Sequence, residues 1–231
     1  MRALVLATLV LSVPALAVTG SGVKLTESRK IVDFSEIEVS DGVTLEVTRG
    51  ATALTISGDD NVVPLITTKV VGGRLQIHRT TSDWLRTKQP LVVKVSTPAL
   101  KRFEASGGVE ATLTSVADRA FAATLSGGVH LNATGLDVDT FELEASGGVT
   151  VKADGKAKTG KLVVSGGVEV KAKQLQIATV TLDASGGCEL ELTVKDSISG
   201  DLSGGVGVKV SGNPPKKLVR SSGGAGVDYV D

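Results

Sequence analysis

Three pairs of residues could do chemistry if this chain stacks repeat upon repeat. Glu169 and Glu189 each stand four residues after a serine that opens a Ser-Gly-Gly run, Asp183 and Asp201 each stand two before one, and Glu110 shares its repeat position with His130. Paired carboxylates are the acid and base of glycoside cleavage. Adjacent carboxylates also repel unless a proton or cation intervenes, and an oxygen-only donor set suits a hard ion such as calcium. Yet any outward position of a repeat protein forms such a ladder, and Lys152 and Lys171 are interleaved with these acids. The pattern reads as a solvated, mixed-charge face.

The remaining candidates are weaker. Cys188 is the single cysteine, so no intramolecular disulfide exists. It occupies a position that is Val in the neighbouring repeats and reads as a small buried hydrophobe. A nucleophilic cysteine needs a nearby base, and the two histidines, His78 and His130, both lie outside its repeat. Trp84 and Tyr229, which a sugar cleft would use as platforms, are far apart in sequence. The metalloprotease, paired-cysteine and serine-hydrolase motifs are absent. The glycine pairs lack the helix start and lysine of a phosphate loop. No catalytic, cofactor-binding or metal-ligating residue is assigned, no cofactor is expected, and the chain is read as a non-enzyme.

What would position these residues is the repeat itself. Ser-Gly-Gly begins at Ser106, Ser126, Ser146, Ser165, Ser185, Ser203 and Ser222, with spacings of 20, 20, 19, 20, 18 and 19 residues. Such a period marks a solenoid. Apolar residues recur one and three positions before nearly every such serine (Leu125 and Ala123, Val164 and Leu162) and three, five and seven after it (Val129, Leu131 and Ala133; Val168, Val170 and Ala172). Polar residues fill the positions between, which is the alternation of half-buried strands. Each unit is therefore strand, Gly-Gly corner, strand. A third, less regular run completes the turn, as in Leu136–Phe141 and Leu175–Val180. About 20 residues at ~3.3 Å each wrap once around a narrow core, with coils stacked at ~4.8 Å. The predicted fold is all-β: a single-stranded parallel β-helix with Ser-Gly-Gly corners at an 18–20-residue period. Aligned corners need either positive φ or close backbone approach in every coil, and glycine supplies both.

Residues 31–100 lack the motif but keep strand alternation, with Asp41-Gly42 at a corner like the later ones and Gly72-Gly73 in a tight hairpin. They read as irregular first coils of the same core, which also cap its edge. The expected organisation is a signal peptide over 1–17, an N-terminal segment over 18–30, and one solenoid domain over 31–231, regular from 101 onward.

The signal peptide rests on Met1-Arg2, the apolar run Ala3–Ala17 and the small-x-small site Ala15-Leu16-Ala17. The run is short of the about 20 residues that a span needs, and no second apolar segment is long enough, so no membrane span is expected in the mature chain. Removal of Arg2 leaves 24 basic against 25 acidic residues. This balance excludes nucleic acid as an obligatory partner.

Taken together, "FSEIEVSDGVTLEV", "LTISGDDNVV", "VVGGRLQIHR" and "LVVKVSTPALKRFEASGGVEA", followed by the Ser-Gly-Gly units, resemble the bacterial head GIN domain family, labelled as autotransporter adhesins, over roughly residues 30–212. Many members of that family carry Ser-Gly-Ser-Gly where this chain has Ser-Gly-Gly-Val. The resemblance implies an exported bacterial β-solenoid and brings no catalytic residues. The expected function is a non-catalytic binding or adhesin-like scaffolding module of the cell envelope, in the periplasm or at the cell surface, with a glycan or a protein as ligand. The alternatives are a polysaccharide-active enzyme and a self-assembling envelope protein that associates through its solenoid ends.

Overall fold

The computed structural model describes residues 17–81 and 84–230. The expected signal segment lies outside these residues except for Ala17. The strands of the first part are β1 (Ala17–Thr19), β2 (Lys24–Ser28), β3 (Glu36–Ser40), β4 (Thr44–Arg49), β5 (Ala53–Asp59), β6 (Ile66–Val71), β7 (Arg74–Arg79), β8 (Trp84–Arg86) and β9 (Val92–Thr97). The repeats form β10 (Arg102–Ser106), β11 (Glu110–Thr114), β12 (Ala117–Ser126), β13 (His130–Gly147), β14 (Thr150–Gly166), β15 (Glu169–Gly186), β16 (Glu189–Gly204), β17 (Gly207–Ser211), β18 (Lys216–Gly223) and β19 (Gly226–Val230).

The repeat strands stack in parallel to give a β-solenoid of about six turns, the number of intervals between seven corners. Register follows the motif. Ser146 lies on Ser126, Ser165 on Ser146, Ser185 on Ser165 and Ser203 on Ser185. The unequal repeat lengths are absorbed on the third face. Pairing there slips between Ala133 and Leu136, between Lys152 and Asp154, and twice between Ala172 and Thr179.

Alternation carries one residue in two into the interior. The corner column Val43, Val109, Val129, Val149, Val168, Cys188 and Val206 is at most 1% exposed at every level. Where two large side chains meet, the next level gives way. Phe121 and Phe141 stack with ring centres 6.2 Å apart, and Gly160 then sits on Phe141. A methyl group at Gly160 would lie 3.2 Å from the Ile177 side chain, which uses that space. Cys188 Sγ lies 3.2 Å from the Ser185 carbonyl oxygen and 3.5 Å from that of Gly166, so its weak donor is engaged inside the core.

The corners separate the roles of the two glycines. In each pair the first has positive φ, from 70° at Gly223 to 92° at Gly186. A Cβ there would point down onto the coil beneath. At Gly166 it would lie 3.1 Å from the Gly147 backbone nitrogen, and at Gly186 2.9 Å from the Gly166 nitrogen and oxygen. Stacked partners are thus Gly147, Gly166 and Gly186. The second glycine meets ordinary contacts, 3.8 Å at Gly167 and 3.9 Å at Gly187. Its N–H donates to the carbonyl of the first glycine below, as from Gly187 to Gly166 at 2.8 Å, a bond that any residue but proline can make. Asp41 occupies the first-glycine position of the first corner at φ 70°, with Ser40 beneath Ser106. A side chain fits there because no tight corner lies below it, and Ser40 Oγ donates to Asp41 Oδ2 at 2.6 Å.

Coil order departs from chain order in the first part. The β3–β4 coil lies directly under β10–β11. The later strands β7 and β9 lie beneath it, paired with β3 and β4. The chain makes one coil, crosses to the outside to build a lower layer, and returns. The lower layer ends the parallel stack because β6 runs antiparallel to β7 through the Gly72-Gly73 hairpin, and β5 runs antiparallel to both β9 and β2.

Asp59 pins this layer. It is fully buried, and its carboxylate accepts backbone N–H bonds from Gly22 at 2.7 Å, Lys88 at 2.9 Å and Gln89 at 3.0 Å. Burial opposes its charge, but these donors and the Lys88 ammonium outweigh that effect and hold its pKa below the ordinary 3.8. The stability it contributes is therefore complete above the ordinary carboxylate range and is lost as pH falls through the depressed value.

Three outcomes are expected. Gly166→Ala should lower stability by about 1–3 kcal/mol, the cost of side-chain strain at positive φ, whereas Gly167→Ala should be neutral or stabilising by up to about 1 kcal/mol; denaturant midpoints compare the two. Asp59→Asn should reduce hydrogen-exchange protection at Gly22, Lys88 and Gln89 at neutral pH, and acidification should do the same to the unmodified protein; unchanged protection in both would remove Asp59 as the pin. Cys188 should react with a thiol reagent only after unfolding, and fast labelling of the native protein would contradict its burial.

Candidate functional site

The outward positions form ladders that run the length of the stack. On the face before the corner, Glu38, Glu104, Thr124, Glu144, Val163, Asp183, Asp201 and Arg220 follow one another. On the face after it, one ladder runs Glu110, His130, Thr150, Glu169 and Glu189. Beside it stand Asn132, Lys152, Lys171, Glu191 and Lys209. All three juxtapositions expected from the spacing occur: Glu169 with Glu189, Asp183 with Asp201, and Glu110 with His130.

Their surroundings differ from those of an acid–base pair. Lys171 Nζ lies 2.7 Å from Glu169 Oε1. That hydrogen bond foremost, against partial desolvation, and then the charges of Glu169, Glu191 and Glu189 raise the Lys171 pKa. The acid pair thus holds a cation supplied by the chain. Asp201 faces Arg220 at 3.9 Å, and Lys209 approaches Glu191 at 3.9 Å. Lower in the stack, Lys94 meets Glu46 at 2.8 Å. Arg74 reaches across levels to Glu36 at 3.0 Å, Glu104 at 3.1 Å and Glu38 at 3.5 Å. Exposed pairs of this kind contribute little stability each. They pair part of the charge on the outer faces, at Glu46, Glu169, Glu191 and Asp201 among others.

Several grooves break these faces, two of them lined by many charged side chains. One, of about 330 Å³, lies where the third face slips register and is lined by Lys152, Lys171, Lys173, Asn132, Gln174 and Glu191 among others. The other, of about 430 Å³, lies beside the first half of β12 and sets Lys101, Arg102 and Arg119 against Glu36, Asp118 and Glu142. Both are open to solvent. Neither contains a histidine or a cysteine, and Phe121, which lines the second, is fully buried and stacked on Phe141 rather than open to a sugar ring. Among the described residues, no group of three or more histidine, cysteine or acidic side chains is placed to hold a metal ion.

The other sequence candidates are dispersed. His78 lies on β7 and His130 on β13. Trp84 is 74% exposed on β8 in the lower layer, and Tyr229 is 37% exposed on the last strand, at the opposite end. The corner serines stack in register as expected, but they bond locally or face solvent. Ser222 Oγ, for instance, donates to the Leu202 carbonyl at 3.3 Å. Sequence reasoning missed Asp59. It follows the alternating run Leu54–Gly58 on the nominally outward parity, so no pattern signals its burial. Only the folding-over of residues 20–23 and 88–89 encloses it.

No curated protein matches the sequence. Solved structures do match in fold. A putative adhesin from Bacteroides fragilis NCTC 9343 superposes with a TM-score of 0.87 at 19% identity, over 92% of this chain and 100% of that one. A putative lipid binding protein from Parabacteroides distasonis ATCC 8503 gives 0.74 at 17% identity, over 94% and 100%. A putative adhesin from Parabacteroides merdae ATCC 43184 gives 0.69 at 17%, over 93% and 99%. The family model described as "Putative auto-transporter adhesin, head GIN domain" spans residues 33–214, and with the stacked Ser-Gly-Gly solenoid now in view, the chain belongs to that family.

Proposed function

We propose that the chain is an exported, non-catalytic module of the bacterial cell envelope that binds or scaffolds through its outer faces. The observation that carries this reading is the pairing of its chemistry-bearing side chains. Of the acids that the repeat brings together, Glu169 is paired with Lys171 and Asp201 faces Arg220 on the same exposed faces. General acid–base work needs a proton-transferring group held at a reacting bond. These groups instead sit on a regular, solvated surface.

A repeating surface suits a repeating or extended partner. The amides of Asn132 and Gln174 and the ammonium groups of Lys152 and Lys173 line one groove with donors, which fits a polar envelope polymer or a protein segment. The interior is filled by side chains along its length. The lipid-binding label of the P. distasonis neighbour would therefore translate here into contact with headgroups at the surface. Among the described residues no helix is long and apolar enough to cross a membrane.

Two measurements test the reading. Mass spectrometry of protein from the producing cells should find an N-terminus at Val18 in the envelope or medium fraction, and a retained Met1 on most molecules would overturn export. A glycan array, run beside polysaccharide-cleavage assays and vesicle co-sedimentation, should show retention without turnover. Turnover abolished by Glu169→Gln or Glu189→Gln would replace the module with an enzyme.

A further inference from the structure

The face after the corner sets like charges on top of each other. Lys152 on β14 and Lys171 on β15 stand in register on adjacent coils, one rung of ~4.8 Å apart. Like charges directly opposite each other on a sheet repel. Glu169 relieves Lys171 through its 2.7 Å contact. Lys152 has no such partner, and neither has Lys173, two positions beyond Lys171. Among the described residues, neither ammonium group makes a hydrogen bond or an ion pair.

The three lysines converge on the groove of about 330 Å³ at the register slips. Two acids share it, and both are engaged elsewhere. Asp154 Oδ1 accepts the N–H of Gly135 at 2.7 Å, which holds that left-handed residue (φ 66°) at the slip. Glu191 faces Lys209 at 3.9 Å. The opposite wall is fixed by Thr193 Oγ1, which donates to the Lys173 carbonyl at 2.6 Å. The groove therefore keeps its shape without a ligand. Its other polar groups are the side-chain amides of Asn132 and Gln174, which have no hydrogen-bond partner among the described residues.

Other grooves of the outer faces lack this excess of cations. Beside β12, Lys101, Arg102 and Arg119 meet three acids, Glu36, Asp118 and Glu142. Lys94 balances Glu46 in another, and Lys209 is outnumbered by Glu189, Glu191 and Asp228 in a fourth. Of these four, only the groove at Lys152 has more cations than acids.

We propose that this groove binds an acidic glycan, with a uronate carboxylate among Lys152, Lys171 and Lys173 and the sugar hydroxyls on Asn132 and Gln174. The proposal rests on the reading that the outer faces bind, and it names the site and the ligand class. A carboxylate placed there offsets the repulsion between the stacked lysines and gives Lys152 and Lys173 the partners they lack. The amides select among anions. An amide both donates and accepts hydrogen bonds, as a hydroxyl does, whereas a bare oxyanion is chiefly an acceptor and leaves the amide oxygens unused. An extended acidic peptide would add to a free strand edge, but β14 and β15 are each paired on both sides.

Calorimetry of the purified protein with polygalacturonate and hyaluronate, run beside the neutral methyl ester of polygalacturonate, tests this. The acidic polymers should bind, the ester should not, and added salt should weaken the interaction. Lys152→Gln combined with Lys173→Gln should weaken it at least about fivefold, the effect of losing two exposed ion pairs. Lys101→Gln combined with Arg119→Gln, in the groove beside β12, should leave it unchanged. Glu169→Gln frees Lys171 and should tighten binding. Lys152 and Lys173 are exposed and unpaired, so their double variant should keep the unfolding midpoint of the unmodified protein. Equal binding of the ester, an unaffected Lys152 and Lys173 variant, or polyglutamate bound as tightly as polygalacturonate would each overturn the proposal. A neutral glycan that binds regardless of these lysines would overturn it and leave the outer-face reading standing. Binding of none of these polymers would overturn both.

Discussion

The solenoid depends on one close approach, that of each corner backbone to the corner below it. The hydrogen atom of the first glycine fills the space where a Cβ would press on peptide atoms about 3 Å away. That spacing cannot be relaxed locally. The strands on either side of the corner hold their ladder bonds at a fixed separation, and lifting one corner would stretch the pairs beside it. The same constraint explains its exception. Asp41 keeps the positive φ of the position but has no Gly-Gly corner beneath it, so a side chain is admitted there.

From this follow the narrow core and its composition. A coil of about 20 residues encloses little more than a column of Val, Leu and Ala, so a large ring in one level must be answered by a small residue in the next, as Gly160 answers Phe141. Cys188 is one more member of that column, with the size of its valine neighbours. The interior is committed to packing and has no room for a ligand. Only the outer faces and the ends offer surface to a partner.

Those outer faces carry residues that would suggest catalysis if met singly. Stacking makes neighbours of whatever occupies an outward position, so Glu169 and Glu189 meet by geometry alone. What distinguishes a ladder from an active site is the environment. A working pair needs a cleft that excludes water and separates the proton affinities of its two members. Here Lys171 pairs with Glu169 on an open face. The structural neighbours share this frame at 19% identity or less.

Alternation and period alone determined the fold class, the inward columns, the corner positions and the register of the acid pairs, because a stacked repeat converts sequence spacing directly into spatial neighbours. Even the motif-free corner at Asp41-Gly42 was legible, through its flanking strands. Three things were decided only by tertiary structure. Which glycine of each pair is indispensable depends on where its Cβ would point, and spacing is blind to that direction. The placement of β7 and β9 beneath β3 and β4 depends on antiparallel β5 and β6, which end the parallel stack and send the chain back past its own first coil. The burial of Asp59 depends on backbone N–H groups 37, 29 and 30 residues away. Such contacts carry no period, so the alternation that reveals the repeats could not reveal them.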